Sequence, residues 1–173
     1  ASLAGPVPVT GISPGWGFAA ASGLPYVEGL IKTRYVGRTF ILPDQASRKS
    51  TVEMKLNPIR ANLEGKRVAL VDDSIVRGTT SASLISLIRR AGAKEVHFCI
   101  SSPPITHPFY YGIDTSAKKE LIASYHNIEQ IRDFIGADGP HSLSRQGSMT
   151  SVDAAYHTRI SPPSSTAHTP PPT

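Results

Sequence analysis

Apolar residues in the middle of the chain follow two patterns that together predict a parallel sheet. Residues 68–71 are a continuous apolar run, and residues 95–101 form a second strand-like run. Between them, residues 81–91 have helical periodicity, and Gly92 follows as a helix-ending glycine. The apolar face of this helix would consist of Leu84, Leu87, Ile88 and Ala91. A strand, a helix and a strand with short connections form a βαβ unit, so we expect parallel strands and a right-handed crossover.

Further helices are expected on both sides of this unit. Residues 12–22 have helical character, although one proline and two glycines within them lower the helix propensity. Residues 118–124 and 128–135 are expected to form later helices. The pattern as a whole predicts an α/β fold.

The composition changes near His141. From there the chain is rich in Ser, Thr, His and Pro and has almost no large apolar residues. Such a segment cannot bury enough apolar surface to offset the entropy of ordering, so we expect a disordered tail. The predicted organisation is one domain over residues 1–140 and a low-complexity tail over residues 141–173.

Composition limits the class of protein. The 173 residues are 39% hydrophobic, which suffices for the core of one modest domain. No apolar run approaches the ~18 residues needed to span a bilayer, and we do not expect a secretory signal from the first residues. The single cysteine, Cys99, lies in a predicted strand and is expected to be a buried small hydrophobe rather than a nucleophile. A reduced, cytoplasmic location fits this cysteine usage.

The chain is basic, with a formal net charge of +5 and a pI of about 9.5. Cationic residues outnumber acidic ones between positions 32 and 67. This stretch lacks the interleaved aromatic residues of nucleic-acid binders, so a small polyanionic substrate is the simpler partner. A solvated basic loop without a role is the alternative.

The strongest chemical signal follows the first predicted strand. Asp72 and Asp73 stand at its end, and a loop of Ser, Thr and Gly then leads into the helix. Ligands of parallel α/β sheets bind outside the carboxyl ends of the strands, and helix N-termini bind phosphate. Two carboxylates beside a phosphate site suit a ribose diol or Mg²⁺. The alternative is simple turn chemistry, in which Asp accepts local backbone hydrogen bonds.

Residues 68–81 resemble the phosphoribosyl pyrophosphate (PRPP) signature of type I phosphoribosyltransferases. The resemblance implies a fold of that type, with a parallel sheet flanked by helices. It implies that Asp72 and Asp73 hold the ribose hydroxyls and that the loop amides hold the 5′-phosphate. The PRPP-binding residues implied in this way are Asp72, Asp73, Ser74, Ile75, Val76, Arg77, Gly78, Thr79 and Thr80.

A narrower resemblance covers roughly residues 5–149. In order and spacing, several short segments resemble the glutamine PRPP amidotransferases, the family that carries out the first step of de novo purine synthesis. Besides the signature, the matching segments are residues 26–32, 34–40, 101–105, 111–114, 119–123 and 135–138. In that family the segment matching residues 32–39 is a flexible loop that closes over PRPP. Catalytic roles at the pyrophosphate and in this lid are thereby implied for Lys32, Arg34, Tyr35 and Arg38.

The same resemblance implies a magnesium site. Residues 6–13 align with the pyrophosphate-binding turn of the family, which places Thr10 at a Mg²⁺-binding serine and Val9 at a position that is usually acidic. The implied metal ligands are Thr10, Asp72 and Asp73. The strand leading into this turn is poor, because Ala4 and Gly5 stand where β-branched residues are expected.

The implied reaction is attack of ammonia on C1 of PRPP, with release of pyrophosphate and formation of 5-phosphoribosylamine. The resemblance also implies purine nucleotide inhibitors and a homo-oligomer in the intact enzyme, with neither nucleic acid nor membrane as partner. The family's glutaminase domain and the first strands of its sheet are expected to be missing here. An iron–sulfur centre is not expected, because Phe109 occupies a ligand position and one cysteine cannot hold a cluster.

Three hypotheses follow. The chain is an amidophosphoribosyltransferase or its transferase part, a PRPP-binding regulator without chemistry, or a truncated fragment that does not fold alone. A base-salvage transferase is a more distant alternative, because it would not bring these flanking motifs. The intact acidic pair and the lid motif favour the first hypothesis.

Overall fold

The computed structural model describes residues 1–33, 56–107 and 121–142. These residues form six strands, four α-helices and one short 3-10 helix. The strands are β1 (Leu3–Pro6), β2 (Leu30–Lys32), β3 (Leu56–Pro58), β4 (Arg67–Asp72), β5 (Glu95–Ile100) and β6 (Gly139–Ser142). The helices are α1 (Ile12–Ser22), α2 (Arg60–Leu63), α3 (Thr79–Arg90) and α4 (Ile128–Ile135), and the 3-10 helix is η1 (Ile122–Ser124).

Four strands form a parallel sheet in the order β1-β4-β5-β6, and β2 pairs with β3 in a separate antiparallel ribbon. The predicted strand–helix–strand unit is present as β4, α3 and β5, so the parallel α/β fold is confirmed. Parallel strands end at a common edge of the sheet. The residues that follow β1, β4 and β5 are therefore brought close together in space.

One face of the sheet carries most of the core. The predicted apolar face of α3 is buried there, and Ile85 adds to it. Val68, Leu70, Val96 and Phe98 face this helix in the same cluster. Each such side chain contributes roughly 1.5–3 kcal/mol through burial. Helix α3 begins at Thr79, two residues before its predicted start.

The opposite face is built from small residues. Ala69, Val71 and Cys99 form a compact cluster there, against which Phe18 and Leu24 pack. Burial raises the pKa of the Cys99 thiol to about 11, so this group stays protonated and unreactive near neutral pH. This confirms the expectation that Cys99 is a buried small hydrophobe.

Helix α1 has the predicted bounds even though its sequence contains weak helix formers. Pro14 lies in the first turn, where its missing N–H costs no intrahelical bond. A Cβ at Gly15 would lie 3.2 Å from Cβ of Pro6, so the glycine allows the helix to approach β1 closely. Gly23 ends the helix with a φ of 69°.

Strand β1 forms despite its poor strand propensity, because the segment around Tyr26 runs parallel beside it and pairs with Ala4. The Ala4 N–H donates to the Pro25 carbonyl at 3.0 Å, and the Val27 N–H donates to the Ala4 carbonyl at 2.9 Å. A Cβ at Gly5 would lie 3.0 Å from the Val27 carbonyl oxygen. The glycine at position 5 is therefore required by close backbone packing.

The C-terminal elements match the expectations in part. Helix α4 has the predicted bounds, with a capping box formed by Asn127 and Gln130. The helix expected over residues 118–124 is wrong in its described part, which is only the 3-10 turn Ile122–Ser124. The reason is that the Ile122 N–H bonds to the Val76 carbonyl at 2.8 Å instead of continuing a helix.

Strand β6 crosses position 140, where we placed the end of the domain, and extends to Ser142. The rest of the expected tail, residues 143–173, lies outside the described residues. Among the helices that the structure describes, none has the length and apolar character needed to cross a membrane.

Asp138 connects three elements, so we predict that Asp138→Ala destabilises the fold. Its Oδ2 accepts from the Val96 N–H at 2.7 Å and from Arg89 at 2.8 Å. Loss of these two charge-assisted hydrogen bonds is expected to lower the free energy of unfolding by about 1.5–3 kcal/mol, measured by urea denaturation. The control is Asp133→Ala, whose exposed carboxylate meets only its neighbour Arg132 among the partners that the structure gives it. An equal effect of both variants would contradict the account.

Candidate functional site

The site lies at the edge of the parallel sheet where β1, β4 and β5 end. Three segments meet there: residues 7–11 after β1, residues 73–78 after β4, and Ser101 with Ser102 after β5. The Val7 N–H donates to the Val71 carbonyl at 2.8 Å, which continues the sheet for one residue beyond β1. The first two segments carry motifs that are about 60 positions apart in sequence.

A side-chain hydrogen bond joins these two motifs. The Thr10 hydroxyl donates to Oδ1 of Asp72 at 2.7 Å. The Asp73 N–H donates to the same oxygen at 2.9 Å. Two of the three predicted metal-site residues are therefore in direct contact. Local turn chemistry does not produce the Thr10 contact, because it joins separate segments of the chain.

Asp72 is only 8% exposed as a residue, and burial dominates the electrostatics of its carboxyl group. Burial raises the pKa of Asp72 from its usual 3.8 to about 6. The hydrogen bonds from Thr10 and from the Asp73 N–H lower the pKa but only partly offset burial, and the neighbouring Asp73 charge raises it further. A cation at this position would therefore relieve an unfavourable buried charge.

Asp73 has a different environment. It is exposed, and its Oδ1 accepts from the Ser74 N–H at 2.6 Å and from the Ser74 hydroxyl at 3.3 Å. This local bond is the turn chemistry that the sequence alternative anticipated. The two adjacent carboxylates are thus unequal, since Asp72 is fixed against the β1–α1 turn while Asp73 faces solvent.

The close approach of the two motifs depends on Gly11. A Cβ at this residue would lie 2.1 Å from the Val71 carbonyl oxygen and 2.7 Å from the Val7 nitrogen. Both neighbours are backbone atoms, which cannot rotate away. Only glycine allows the turn to close against the end of β4 and thereby place Thr10 beside Asp72.

The end of β5 supports the acidic pair from the other side. The Ser101 N–H donates to the Asp72 carbonyl and the Ser102 N–H to the Asp73 carbonyl, each at 3.0 Å. The Ser102 hydroxyl oxygen is buried without a hydrogen-bond partner among the described residues. In the sequence, Ser101 and Ser102 stand out only as part of a segment that resembles the family, and they are not predicted as site residues. The signal that could have identified them is their position directly after the strand that pairs with β4.

The predicted phosphate loop combines buried and exposed positions. Ile75 is only 4% exposed and packs in the core, so its side chain anchors the loop. Gly78 adopts a φ of 76° at the start of α3, where no side chain caps the helix. Thr79 and Thr80 are exposed in the first turn. The amides of such a turn lack intrahelical partners and suit an anion.

The predicted lid residues are only partly described. Lys32 is exposed at the end of β2, which belongs to the small ribbon rather than to the parallel sheet. Arg34, Tyr35 and Arg38 lie outside the described residues, as does Phe109.

Within the described ranges no group of three or more His, Cys, Asp or Glu residues could hold a metal. A metal here would therefore also use a hydroxyl, water or substrate oxygens.

Comparisons with known proteins give consistent results. The chain is 57% identical over 150 residues to the amidophosphoribosyltransferase of Bacillus subtilis, covering 87% of this chain and 32% of that protein. It is 59% identical over 139 residues to the amidophosphoribosyltransferase of Methanothermobacter thermautotrophicus, covering 80% and 29% of the two chains. The chain thus spans about a third of the length of these relatives. No protein-family model matches the chain.

A solved structure agrees with these relatives. The glutamine PRPP amidotransferase from B. subtilis complexed with ADP and GMP superposes with a TM-score of 0.79 at 54% identity. The superposition covers 91% of this chain and 34% of that one. The fold and the sequence therefore point to the same group of enzymes.

The raised pKa of Asp72 predicts a specific pH dependence of stability. Between about pH 4 and 6, the folded protein holds a proton that the unfolded chain releases, so the free energy of unfolding falls as the pH rises through this range. Asp72→Asn keeps an acceptor for Thr10 and removes the buried charge. At pH 7 we expect it to raise the free energy of unfolding by an amount on the order of 1–3 kcal/mol.

Urea denaturation of both proteins at several pH values checks this. At pH 2.5, where the Asp72 carboxyl is protonated in both states, the difference between variant and wild type should nearly vanish. A difference of the same size at all pH values would show that Asp72 is not buried as described.

Gly11→Ala is expected to disturb the site through lack of space. Its methyl group must push the turn away from Val71, which costs about 1–3 kcal/mol or more and separates Thr10 from Asp72. Gly17→Ala is the matched control, because this glycine lies in α1, directly after the turn, and has nothing within 4 Å of an added Cβ. There alanine is expected to stabilise by about 0.5–1 kcal/mol. Thermal unfolding of both variants measures this, and equal effects would refute the close approach at Gly11.

Proposed function

The chain belongs to the amidophosphoribosyltransferase family as a segment about a third of the length of its relatives, and from this we propose that it carries a PRPP site and acts in amination of PRPP. The proposed reaction yields 5-phosphoribosylamine and pyrophosphate, which makes it the first step of purine synthesis. The observation that carries the proposal is the hydrogen bond between Thr10 and Asp72. It joins the proposed pyrophosphate turn to the proposed ribose-binding pair at one sheet edge.

In this reaction the ammonia nitrogen forms a bond to C1 of the ribose as the bond from C1 to the pyrophosphate oxygen breaks. The bonding electrons leave with pyrophosphate, and the nitrogen loses a proton. Positive charge develops at C1 and negative charge on the leaving group. The protein's task is to position the substrate and to stabilise these charges, and no covalent protein nucleophile is needed.

We assign the groups as follows. The exposed Asp73 carboxylate and the buried Asp72 carboxylate accept hydrogen bonds from the ribose diol. The first-turn amides of α3, from Thr79 onward, bind the 5′-phosphate with support from the helix dipole. The β1–α1 turn faces the pyrophosphate. This assignment puts the 5′-phosphate at the first turn of α3 and the pyrophosphate at the β1–α1 turn, with the acidic pair between them.

The donor set fits Mg²⁺. The carboxylates of Asp72 and Asp73 and the hydroxyl of Thr10 supply hard oxygen atoms, and substrate phosphates would supply others. When bound, the ion neutralises charge on the pyrophosphate leaving group. Burial makes the Asp72 charge costly, so a cation is favoured at this carboxylate.

Other parts of the proposal concern the lid residues, of which Lys32 alone lies within the described structure, and the partners of the protein. Lys32, Arg34, Tyr35 and Arg38 are proposed to close over the pyrophosphate and exclude water. Ammonia is proposed to come from glutamine in the intact enzyme, which is proposed to be a homo-oligomer. The similar B. subtilis enzyme is complexed with ADP and GMP, so purine nucleotides are proposed as inhibitors here.

The direct test is PRPP binding to the full 173-residue chain by calorimetry, with and without Mg²⁺. The double variant Asp72→Asn, Asp73→Asn should weaken Mg²⁺-dependent binding by on the order of a hundredfold or more, because two charged hydrogen-bond acceptors are lost. The double variant Glu129→Gln, Asp133→Asn changes the net charge equally on exposed positions of α4 and should bind normally.

Failure of the folded wild-type chain to bind PRPP would overturn the proposed function. Equal weakening by both double variants would mean that net charge, rather than this site, governs binding. Binding followed by ammonia-dependent release of pyrophosphate would support the full reaction. Binding without turnover would favour a PRPP-binding regulator and direct attention to Val9, which is 60% exposed in the proposed pyrophosphate turn.

A further inference from the structure

Gly78 is the point at which the proposed phosphate loop becomes helix α3. Its φ of 76° is a left-handed conformation, and its carbonyl accepts the helical bond from the Ala82 N–H at 2.9 Å. The orientation of the first-turn amides therefore depends on the conformation of this one residue. Glycine alone does not select that conformation, because it populates positive and negative φ about equally. The residues around Gly78 must therefore be what favours its left-handed conformation.

Two side chains from the C-terminal part of the fold lie against Gly78. A Cβ at this position would lie 2.9 Å from Cδ1 of Ile122 and 3.0 Å from Cε1 of Phe134. Ile122 is nearly fully buried, and its N–H bonds to the Val76 carbonyl within the loop. The loop is thus held by one backbone bond and by two apolar contacts that leave no space beside Gly78.

Phe134 is unusual in its own helix. It is 51% exposed, whereas Ile131 and Ile135 fill the core side of α4. A half-exposed phenylalanine contributes less to the core than these residues do. Its ring nevertheless lies against the turn that precedes the proposed phosphate site, where it covers the backbone of Gly78.

We propose that Phe134 and Ile122 are positioning residues for the phosphate loop. They hold Gly78 in its left-handed conformation and thereby aim the first-turn amides of α3 at the 5′-phosphate of the substrate. The part concerning the substrate rests on the proposed function. The part concerning the loop conformation stands on the contacts alone, so the two can be tested separately.

Hydrogen exchange of the Ala82 amide in the ligand-free full chain tests the loop conformation. Phe134→Ala should speed exchange at Ala82 about tenfold, because the bond to the Gly78 carbonyl opens more often. The Ala91 amide, which bonds to Leu87 near the end of the same helix, should be unaffected. Equal acceleration at both ends would indicate general destabilisation and would overturn the proposal.

Two further variants sharpen the comparison. Phe134→Leu keeps an apolar side chain in reach of Gly78 and should restore most of the protection at Ala82. Ile128→Ala is the matched control, since Ile128 is also 51% exposed on α4 but is not among the atoms nearest Gly78. An effect of Ile128→Ala as large as that of Phe134→Ala would overturn the proposal.

Ligand binding tests the part that concerns substrate. Phe134→Ala should weaken binding of ribose 5-phosphate about tenfold, because the first-turn amides lose part of their hydrogen bonding to the phosphate. Pyrophosphate binding should stay within about twofold of wild type. Equal weakening of both ligands would contradict a specific role at the 5′-phosphate. If wild type binds neither ligand nor PRPP, the proposed function fails, while exchange at Ala82 still decides whether Phe134 holds the loop.

Discussion

The hydrogen bond between Thr10 and Asp72 is the interaction on which the site depends. It requires the turn after β1 to lie directly against the end of β4, and that approach is open only to a glycine at position 11. Parallel pairing of β1 with β4 supplies the frame, and the bond from Val7 to the Val71 carbonyl extends it to the turn. Two motifs that are distant in sequence thereby become one site.

This arrangement lowers the stability of the fold, because it buries the charge of Asp72 within the site. The Asp72 carboxyl is buried beside a second acidic residue, and its pKa is raised to about 6 because desolvation outweighs its hydrogen bonds. A structure selected for stability alone would not bury a carboxylate there. The cost is understandable if a cation and the hydroxyl groups of a ribose occupy the site, since both would interact favourably with the ionised carboxylate.

Much of the fold could be predicted from periodicity. The apolar spacing in α3 identified that helix and the bounds expected for α4 were also right, because each helix is decided by local sequence. Strand β1 was harder to predict, since Ala4 and Gly5 lack strand propensity and are explained only by the segment around Tyr26 that pairs in parallel beside them. The turn at Ile122 also depends on a partner distant in sequence, the Val76 carbonyl, which no local pattern reveals.

The features of the site also fall into those that local sequence reveals and those that depend on partners distant in sequence. Asp72, Asp73 and the glycine-containing loop could be identified from their order along the chain, because a strand end followed by a helix start is a local feature. The contact with Thr10, the support from Ser101 and Ser102, and the packing of Phe134 on Gly78 all join segments that are distant in sequence. They became visible only when the strands were aligned in one sheet.

The central claim is that the β1–α1 turn and the loop after β4 form a single PRPP site. Amide chemical shifts of the isotope-labelled full chain, followed during titration with PRPP and Mg²⁺, test this most directly. We expect the signals of Thr10 and Gly11 and those of residues 73–81 to shift together, with one common affinity. Shifts confined to one of the two segments, or shifts with different affinities, would contradict the claim.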